Sequence, residues 1–506
     1  MDNSPILPNI RIRKIKLKDF RNIKYAEIDF PGGKITEYVN GESSILGVYG
    51  QNGSGKSSLL MAINALRYAL SGMSLPYPLF SSCIRSGCES TRLEFEFAGY
   101  DEKGIQYDIY YSFSLQMDFR IDEEDNSSRI INAFNEIGLD NPFSKKRIDI
   151  MERLIRPKDR RITIIDELLQ VAYQSKNGDK KNKQVLIDTS EKACKVSKKT
   201  FGNKEKYERL TANCEENIDD ILYKEKIESR LKSRSFIFSN SVIEKLIWGS
   251  SVIPYKMSLR SLSEYGSNYL FVVFFDQLDT IPFYIWLNSR EHGALGMIYL
   301  IQLNDRTTVL NDSFCLIEKS IKSIDKVISK IVPGLNIEIN DIGKSLSEVG
   351  KEVRIFDVVS VHNGVKIPLR YESDGIKRII SYLSVIVAVY NNPSVTVAID
   401  EMDSGVFEYM LGELLRILKD SAKGQLIFTS HNLRPLEVLP YKNLLFTTKN
   451  PEKRFAKLEG VSGNNNLRDS YFRSIILGSG KDAFYDATDT FEIEQALFEA
   501  GAFWED

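Results

Sequence analysis

The pattern of apolar and polar positions predicts strands near the start of the chain. Residues 11–30 alternate apolar and polar side chains, as half-buried strands do. Residues 44–49 (SILGVY) form an apolar run that ends at a glycine-rich turn, and residues 57–70 carry apolar side chains at helical spacing. Residues 44–70 are therefore predicted to form a strand, a glycine loop and a helix. Residues 92–116 hold two alternating segments around a turn, which predicts an antiparallel hairpin.

Charged and polar residues dominate from about residue 120 to 260, and we predict a mainly helical insertion over residues 120–330. Near its end, an apolar stripe recurs at steps of four and three residues, through Ile317, Ile321, Ile324, Ile328 and Ile331. Core packing and a coiled coil both fit this stripe. Packing is favoured because the helix is short and stops at Pro333 and Gly334.

The last third of the chain returns to strand-like alternation and then alternates helices with strands. Strands are predicted within residues 335–371, at 395–399 and at 425–429. Helices are predicted at 375–390 and 407–419.

These elements predict an α/β fold divided into four parts. The parts are residues 1–118 and 333–465, which form one head, the mainly helical insertion 119–332, and a tail, 466–506. The tail is dense in aromatic residues, which rarely stay solvated. Packing on the head and docking of a partner are both compatible with it, and packing is favoured.

The strongest chemical signal is the segment GQNGSGKS of residues 50–57, which fits GxxxxGK[ST] between a strand and a helix. Glycines let successive N–H groups point at phosphate oxygens, and the helix start adds a favourable dipole. Lys56 can then contact the outer phosphates, and the Ser57 hydroxyl can ligate Mg²⁺. The predicted nucleotide contacts are Gly50, Asn52, Gly53, Ser54, Gly55, Lys56, Ser57 and Ser58.

An acidic pair follows the apolar run VTVAI of residues 395–399. Parallel strands bring their C-terminal ends to the same ligand-binding edge of a sheet. Asp400 can therefore hold Mg²⁺ beside Ser57, and Glu401 can polarise the attacking water. A surface position for both acids is the alternative, but it is disfavoured once the phosphate loop is established.

Two further polar groups stand at element ends. Ser373, Asp374 and Gly375 precede a predicted helix, where they can cap it and also offer a second anion site. His431 follows the strand predicted to lie beside the Asp400 strand, and it can donate a hydrogen bond to a γ-phosphate.

The order of these motifs resembles an ABC-type ATPase head of the SMC and RecF group, which implies a P-loop NTPase head with an N-terminal antiparallel β portion. The similarity includes the segment KDFRN of residues 18–22 and covers about 1–118 and 333–440. ESDGIKR, IDEMDSG and FTSHN most resemble the branch called AAA-family ATPases, which includes ATPases of Septu-, PARIS- and OLD-type antiphage systems.

The resemblance implies ATP and Mg²⁺ as ligands and two heads facing each other. Ser373 and Gly375 of one head would meet the ATP held by Lys56 of the other. Glu401 would be the general base and His431 the γ-phosphate sensor.

Three further positions take their roles from the same resemblance. Arg21 would touch the phosphates, and Asp403 would lie on a loop that crosses the dimer interface. Gln116 is the candidate for the family's metal-contacting glutamine.

Some features depart from parts of the group. The signature is SDG, CxxC is absent, and the insertion is too short for a long SMC arm, which disfavours a chromosome-tethering protein. About 75 residues follow His431, too few for an appended nuclease domain, so we expect any nuclease to be a separate chain.

Composition adds little to this picture. The net charge is −2, so any nucleic-acid binding must come from a local patch, for which the basic region 145–199 is a candidate; a solvated helix face is favoured over it. Five cysteines without metal-ligand spacing, no signal pattern and no membrane-length apolar run predict a cytoplasmic protein.

Three functions remain open from the sequence. The first is an antiphage sensor ATPase that acts as a homodimer or larger homo-oligomer and controls a separate nuclease or toxin. The second is a repair ATPase that clamps DNA. The third is a nucleotide-locked scaffold, which Glu401 disfavours because a scaffold needs no general base.

Overall fold

The structure is a computed structural model of the chain. It describes residues 9–32, 43–101, 104–120, 159–174, 180–190, 195–197, 218–249, 252–274, 280–289, 293–302, 306–347, 350–457, 467–469, 471 and 490–502. Only these residues are discussed in structural terms.

The strands, in chain order, are β1 (Asn9–Phe20), β2 (Ile23–Asp29), β3 (Ser44–Tyr49), β4 (Ser90–Tyr100), β5 (Gln106–Arg120), β6 (Asp159–Gln174), β7 (Lys180–Asp188), β8 (Lys195–Val196), β9 (Leu270–Val273), β10 (Thr280–Ser289), β11 (Gly293–Gln302), β12 (Thr307–Leu310), β13 (Leu335–Leu346), β14 (Glu352–His362), β15 (Val365–Pro368), β16 (Thr396–Ile399), β17 (Gln425–Thr429), β18 (Leu444–Thr447) and β19 (Phe455–Ala456). The helices are α1 (Lys56–Leu70), α2 (Tyr77–Phe80), α3 (Ile218–Leu231), α4 (Asn240–Gly249), α5 (Ile253–Glu264), α6 (Asn311–Ile331), α7 (Asp374–Asn391), α8 (Glu408–Ser421), α9 (Pro435–Val438) and α10 (Thr490–Ala502).

Two large sheets organise the described residues. An antiparallel sheet has the strand order β2-β1-β4-β5-β6-β7-β8, and a mostly parallel sheet has the order β19-β18-β3-β17-β16-β9. A smaller antiparallel sheet joins β12, β14, β13 and β15, and β10 pairs with β11. The predicted α/β fold, with a P-loop head and an N-terminal antiparallel portion, is confirmed.

Helices α1 and α5 fill the space between the two large sheets. Helix α1 contacts β9 and β16 of the parallel sheet, and α5 contacts α1 together with β1 and β6 of the antiparallel sheet. Twelve of the fifteen residues of α1 are buried, so this helix is apolar almost all round rather than along one stripe. The phosphate loop therefore continues into one of the most enclosed helices of the head.

A buried glutamine joins the two sheets. The Gln425 side chain donates to the Ile12 carbonyl at 2.9 Å and accepts from the Ile12 N–H at 3.2 Å. It also contacts the Ser44 and Thr396 hydroxyls. Because a buried amide without partners is costly, these bonds fix β1 against the start of β17.

The predicted elements outside the insertion are confirmed with small shifts. The strand, glycine loop and helix of residues 44–70 are β3, the loop and α1, and residues 11–30 form the hairpin of β1 and β2. The isoleucine stripe of α6 packs into the core through Ile317, Ile321, Ile324 and Ile328, so the core-packing interpretation is confirmed.

The prediction of a mainly helical insertion is wrong for much of its described part. Strands β6, β7 and β8 extend the antiparallel sheet, and β9 is an edge strand of the parallel sheet. In β6 the alternation changes phase at a bulge, where Asp166 has a φ of 52° and the pairing with β5 shifts. Because the bulge interrupts the alternation of apolar and polar positions, the sequence pattern does not identify β6 as a strand. The four-part division itself stays a prediction.

Two predictions lie partly outside the described residues. The basic region 145–199 is described at 159–174, 180–190 and 195–197, where it forms strands β6, β7 and β8, so the favoured interpretation as a helix face is wrong there. Most of the tail is outside the described residues. Within the tail, Tyr471 is buried and its ring lies 4.9 Å from that of Phe446, so this part packs on the head. Among the helices in the described ranges, none has the length and apolarity needed to cross a membrane.

Candidate ATP site

The phosphate loop leaves the end of β3 and curls back over the start of α1. Gly50, Gly53 and Gly55 have φ values of 152°, 74° and 106°, a region in which other residues are strained. The Lys56 ammonium donates to the carbonyls of Gly50 at 2.8 Å and Gln51 at 3.1 Å. The lysine is thus folded back into the concave side of its own loop, where phosphate oxygens can replace the carbonyls.

Gly50 also has no room for a side chain. A Cβ there would lie 1.7 Å from the Thr447 hydroxyl, which itself donates to the Tyr49 carbonyl at 3.1 Å and bonds Ser54 at 2.5 Å. Thr447, the last residue of β18, therefore packs against the phosphate loop and fixes its position.

The acidic pair stands at the end of β16, beside the end of β17. The Thr429 hydroxyl donates to the Asp400 carboxylate at 2.6 Å, and the Thr429 hydroxyl oxygen accepts from the Glu401 N–H at 2.7 Å. Parallel pairing of Ile399 with Phe428 brings these residues to the same sheet edge. Glu401 is exposed and has a φ of 46°, a strained backbone that points to a functional constraint.

His431 is fixed by the loop that follows the acidic pair. The Asp403 carboxylate accepts from the N–H groups of His431 at 2.9 Å and Asn432 at 2.8 Å. Burial lowers the pKa of the His431 imidazole, and the nearby Lys56 lowers it further. The ring is therefore neutral near pH 7 and can donate one hydrogen bond while accepting another.

These groups surround one cavity of about 710 Å³. The predicted residues in its lining are Arg21, Asn52, Gly53, Gly55, Lys56, Ser57, Ser58, Asp400, Glu401 and His431. Burial lowers the pKa of Lys56, against the carboxylates of Asp400 and Glu401, which raise it. A cation facing two carboxylates at a nest of N–H groups fits a nucleotide phosphate with a divalent metal.

The cavity also contains residues that the sequence analysis missed, namely Asn22, Ser82, Ile84 and Ser86. The Asn22 amide donates to the Gly53 carbonyl at 2.7 Å and accepts from the Ser58 hydroxyl at 3.2 Å. Asn22 therefore holds the phosphate loop in shape. Its position next to Arg21 in the KDFRN segment is the sequence feature that could have identified Asn22 as a site residue.

Arg21 lies in a strained turn beside the loop of residues 81–88. It has a φ of 51°, and its N–H donates to the Cys83 carbonyl at 2.9 Å. Nothing in the local sequence pattern marks the serines of that loop, because only the tertiary fold brings them to the cavity.

Six predicted site residues are not part of the described cavity lining, namely Gly50, Ser54, Gln116, Ser373, Gly375 and Asp403. Gly50 and Ser54 belong to the phosphate loop, and Asp403 binds the backbone of His431. Gln116 lies within β5, where it pairs with Ser90 of β4 and Thr163 of β6. Ser373 caps α7, because its hydroxyl accepts from the Ile376 N–H at 3.4 Å. The capping interpretation of Ser373 is thus confirmed, while its contact with a nucleotide stays a prediction.

The start of α7 is packed against the loop after the acidic pair. A Cβ on Gly375 would lie 2.7 Å from the Gly405 carbonyl oxygen, and Arg378 hydrogen-bonds Ser404. The signature residues and the loop carrying Asp403 therefore form one unit within the chain.

We expect Gly405→Ala to push the start of α7 away from the loop that carries Asp403. Gly405 has a φ of 76°, and a Cβ there would meet the Gly375 Cα at 2.7 Å. The combined strain and overlap should lower the free energy of unfolding by about 2–4 kcal/mol, measured by urea denaturation. Gly364→Ala is the matched control, because Gly364 has a φ of 84° and an open surrounding. Equal losses in the two variants would contradict the proposed contact.

The fold and the site together define a P-loop nucleotide-binding head, built from a mostly parallel sheet and an antiparallel sheet. The chain belongs to the AAA ATPase domain family, whose profile matches residues 11–434. Comparison with curated proteins finds no match.

Several solved structures are similar at low identity. The SMC head domain of Pyrococcus furiosus bound to the C-terminal domain of ScpA is 12% identical, with a TM-score of 0.36 and 89% of this chain and 96% of that chain covered. The RecF-ATP structure is 13% identical, with a TM-score of 0.32 and coverages of 84% and 94%. The SMC head domain from Thermotoga maritima is 11% identical, with a TM-score of 0.30 and coverages of 89% and 99%. Identities this low concern the fold alone.

Proposed function

We propose that this protein binds ATP with Mg²⁺ and hydrolyses it in a site shared by two heads. The observation that carries the proposal is the convergence of Lys56, Glu401 and His431 on one cavity from the ends of neighbouring elements. The exposed Ser373 lies outside that lining in its own chain, which leaves it available to a second head.

Each residue has a distinct task at the phosphates. The N–H groups of the loop and the Lys56 ammonium hold the outer phosphates. Bound Mg²⁺, held by Ser57 and Asp400, would screen the charge that develops on the leaving phosphate. The Thr429 hydroxyl fixes the orientation of Asp400, at 2.6 Å.

We assign activation of the attacking water to Glu401. Its side chain is exposed at the cavity, whereas Asp400 is engaged by Thr429. A carboxylate held at a fixed backbone position can take a proton from a water aligned with the γ-phosphate. The neutral His431 can donate a hydrogen bond to the γ-phosphate, and Asp403 keeps its backbone in place.

A second head completes this site. Ser373 sits at the N-terminus of the 18-residue helix α7, where the helix dipole and free N–H groups favour an anion. We propose that it contacts the γ-phosphate held by the partner, so that ATP binding promotes a homodimer. Because Gly405 contacts Gly375, engagement of the signature would be transmitted to the loop that carries Asp403.

At the level of biological role, we propose a sensor ATPase of an antiphage system that controls a separate effector such as a nuclease or toxin. The motifs ESDGIKR, IDEMDSG and FTSHN support this role through their resemblance to that branch. The principal competing role is a DNA-clamping repair ATPase, which the SMC- and RecF-like fold accommodates equally well.

ATP turnover measured with and without duplex DNA separates these roles. For a defence ATPase, we expect turnover without DNA and a change of less than about twofold when duplex DNA is added at low salt. Stimulation by DNA that disappears as salt rises would favour the repair role. Absence of turnover under every condition would favour a nucleotide-locked scaffold and overturn the catalytic proposal.

A further inference from the structure

A second large cavity lies between three helices of the head. Helices α6, α7 and α8 enclose about 710 Å³ with mainly apolar walls, to which Ile331, Ile386, Met410, Leu414 and Ile417 contribute. Ile417 is 54% exposed although it belongs to this apolar groove. Single exposed apolar residues are common, but a concave cluster of them usually marks a docking site.

The groove is separate from the ATP cavity. It uses the C-terminal part of α7, including Tyr390, whereas Ser373 lies just before the N-terminus of the same helix. The rise of an α-helix places these two residues roughly 25 Å apart. A partner can therefore occupy the groove without contacting nucleotide.

An exposed apolar helix is present elsewhere in the chain. In α10, Ile493, Leu497 and Phe498 are 46%, 71% and 78% exposed. Ile493 and Leu497 are one turn apart and share a face. Because its side chains at 491–500 are all exposed, α10 does not occupy the groove of its own head.

The two lysines of the groove complement the acids of α10. Lys326 and Lys330 of α6 line the groove together with Glu413, whose carboxylate is paired with Arg416 at 2.6 Å. Helix α10 carries Glu492, Glu494 and Glu499 beside its apolar residues. Apolar side chains can enter the groove while the acids meet the lysines at its rim, an arrangement that adds orientation more than affinity.

We propose that the groove binds α10 of a second copy of this chain. Eighteen residues separate Tyr471 from Thr490, enough chain to span up to about 60 Å, so α10 can reach a neighbouring head. In a two-fold symmetric dimer each helix enters the other groove, which gives two equivalent contacts. This contact needs no nucleotide and does not rest on the ATP-sandwiched dimer. It keeps two heads together between rounds of ATP binding.

Sedimentation velocity of the full chain without nucleotide tests the contact. We expect wild type to dimerise, and Leu497→Glu in α10 or Ile417→Glu in the groove to raise the dimer Kd about tenfold or more. Tyr441→Glu is the control, because Tyr441 is 50% exposed and outside both surfaces. ATP binding should persist in all three variants, since none of these residues lines the ATP cavity. A nucleotide-free chain that stays monomeric, or variants that dimerise as wild type does, would overturn the proposal.

Disulfide crosslinking identifies the occupant. Chains of unequal mass, one carrying Leu497→Cys and the other Ile417→Cys, are mixed and oxidised without nucleotide. We expect a crosslinked species of the summed mass, and none when Ile417→Cys is replaced by Asp420→Cys, an exposed position of α8 outside the groove. Single variants control for native cysteines such as Cys315, which is exposed. A chain that carries both Leu497→Cys and Ile417→Cys is oxidised in parallel. Crosslinking within that chain, with none between the two single variants, would assign the groove to its own helix and reject the second copy.

Discussion

Replacing Glu401 with glutamine is expected to reduce ATP turnover by about 10²- to 10⁴-fold, the range over which a general base contributes. Glutamine keeps the size of the side chain but cannot accept the proton of the attacking water. ATP affinity should be preserved, because Lys56 and the loop N–H groups are unchanged. The heads should then remain closed on unhydrolysed ATP, and the variant should accumulate as an ATP-bound dimer.

Turnover and mass are measured on the same samples, by phosphate release and light scattering. Glu408→Gln is the matched control, since Glu408 is an exposed acid in the first turn of α8 outside the cavity. That variant should turn over ATP at the wild-type rate. If Glu401→Gln hydrolyses ATP as fast as wild type, Glu401 is not the base.

Replacing Ser373 with aspartate is expected to reduce turnover by about 10²- to 10³-fold, as loss of one transition-state hydrogen-bond donor does. Aspartate caps helices as well as serine does, so α7 should stay as stable as in wild type. Its carboxylate, however, would face the γ-phosphate of the opposite head and repel it. ATP binding by the isolated chain should be unchanged, because Ser373 is not part of the described lining of its own cavity.

The contrast between binding and turnover makes this test specific. Ser323→Asp is the control, because Ser323 is an exposed serine on α6 outside the cavity. Calorimetric titration with ATP, at a chain concentration too low for the heads to dimerise, should give the same Kd for both variants and wild type. Loss of ATP binding by Ser373→Asp would mean that the residue acts within its own chain, and unchanged turnover would mean that it does not act on ATP at all.

The sequence was sufficient for the elements that depend on local pattern. The apolar run of residues 44–49, the glycine loop and Lys56 lie next to one another, so their geometry follows from short-range rules. Asp400 and His431 were located because each follows an apolar run that becomes a buried parallel strand. The helix cap at Ser373 was also a local property.

Features that depend on long-range pairing were not predictable in this way. The bulge at Asp166 breaks the alternation of β6, and the high charge of the surrounding residues obscures the strand. Thr429 was named only as part of a strand end, yet its hydroxyl bonds Asp400 from a neighbouring strand. Ser82 and Ser86 reach the cavity through the packing of a loop that has no motif.

The residue type and chain position of Gln116 were not enough to predict a contact with the metal. Gln116 precedes a segment outside the described residues, but the ladder of β4, β5 and β6 places it away from the described cavity lining. A strand interior pairs its backbone on both sides, which leaves less freedom to approach a ligand than a loop has.

Mixing two inactive variants tests the shared site most directly. Lys56→Ala lacks the phosphate-binding lysine but keeps Ser373, whereas Ser373→Asp keeps Lys56 and Glu401. Equal amounts are combined before ATP is added, and phosphate release is compared with that of each variant alone. Recovery to roughly a quarter of the wild-type rate is predicted, because half of the randomly formed dimers are mixed and each holds one intact site. No recovery, in a mixture where mixed dimers are shown to form, would contradict a site built from two heads.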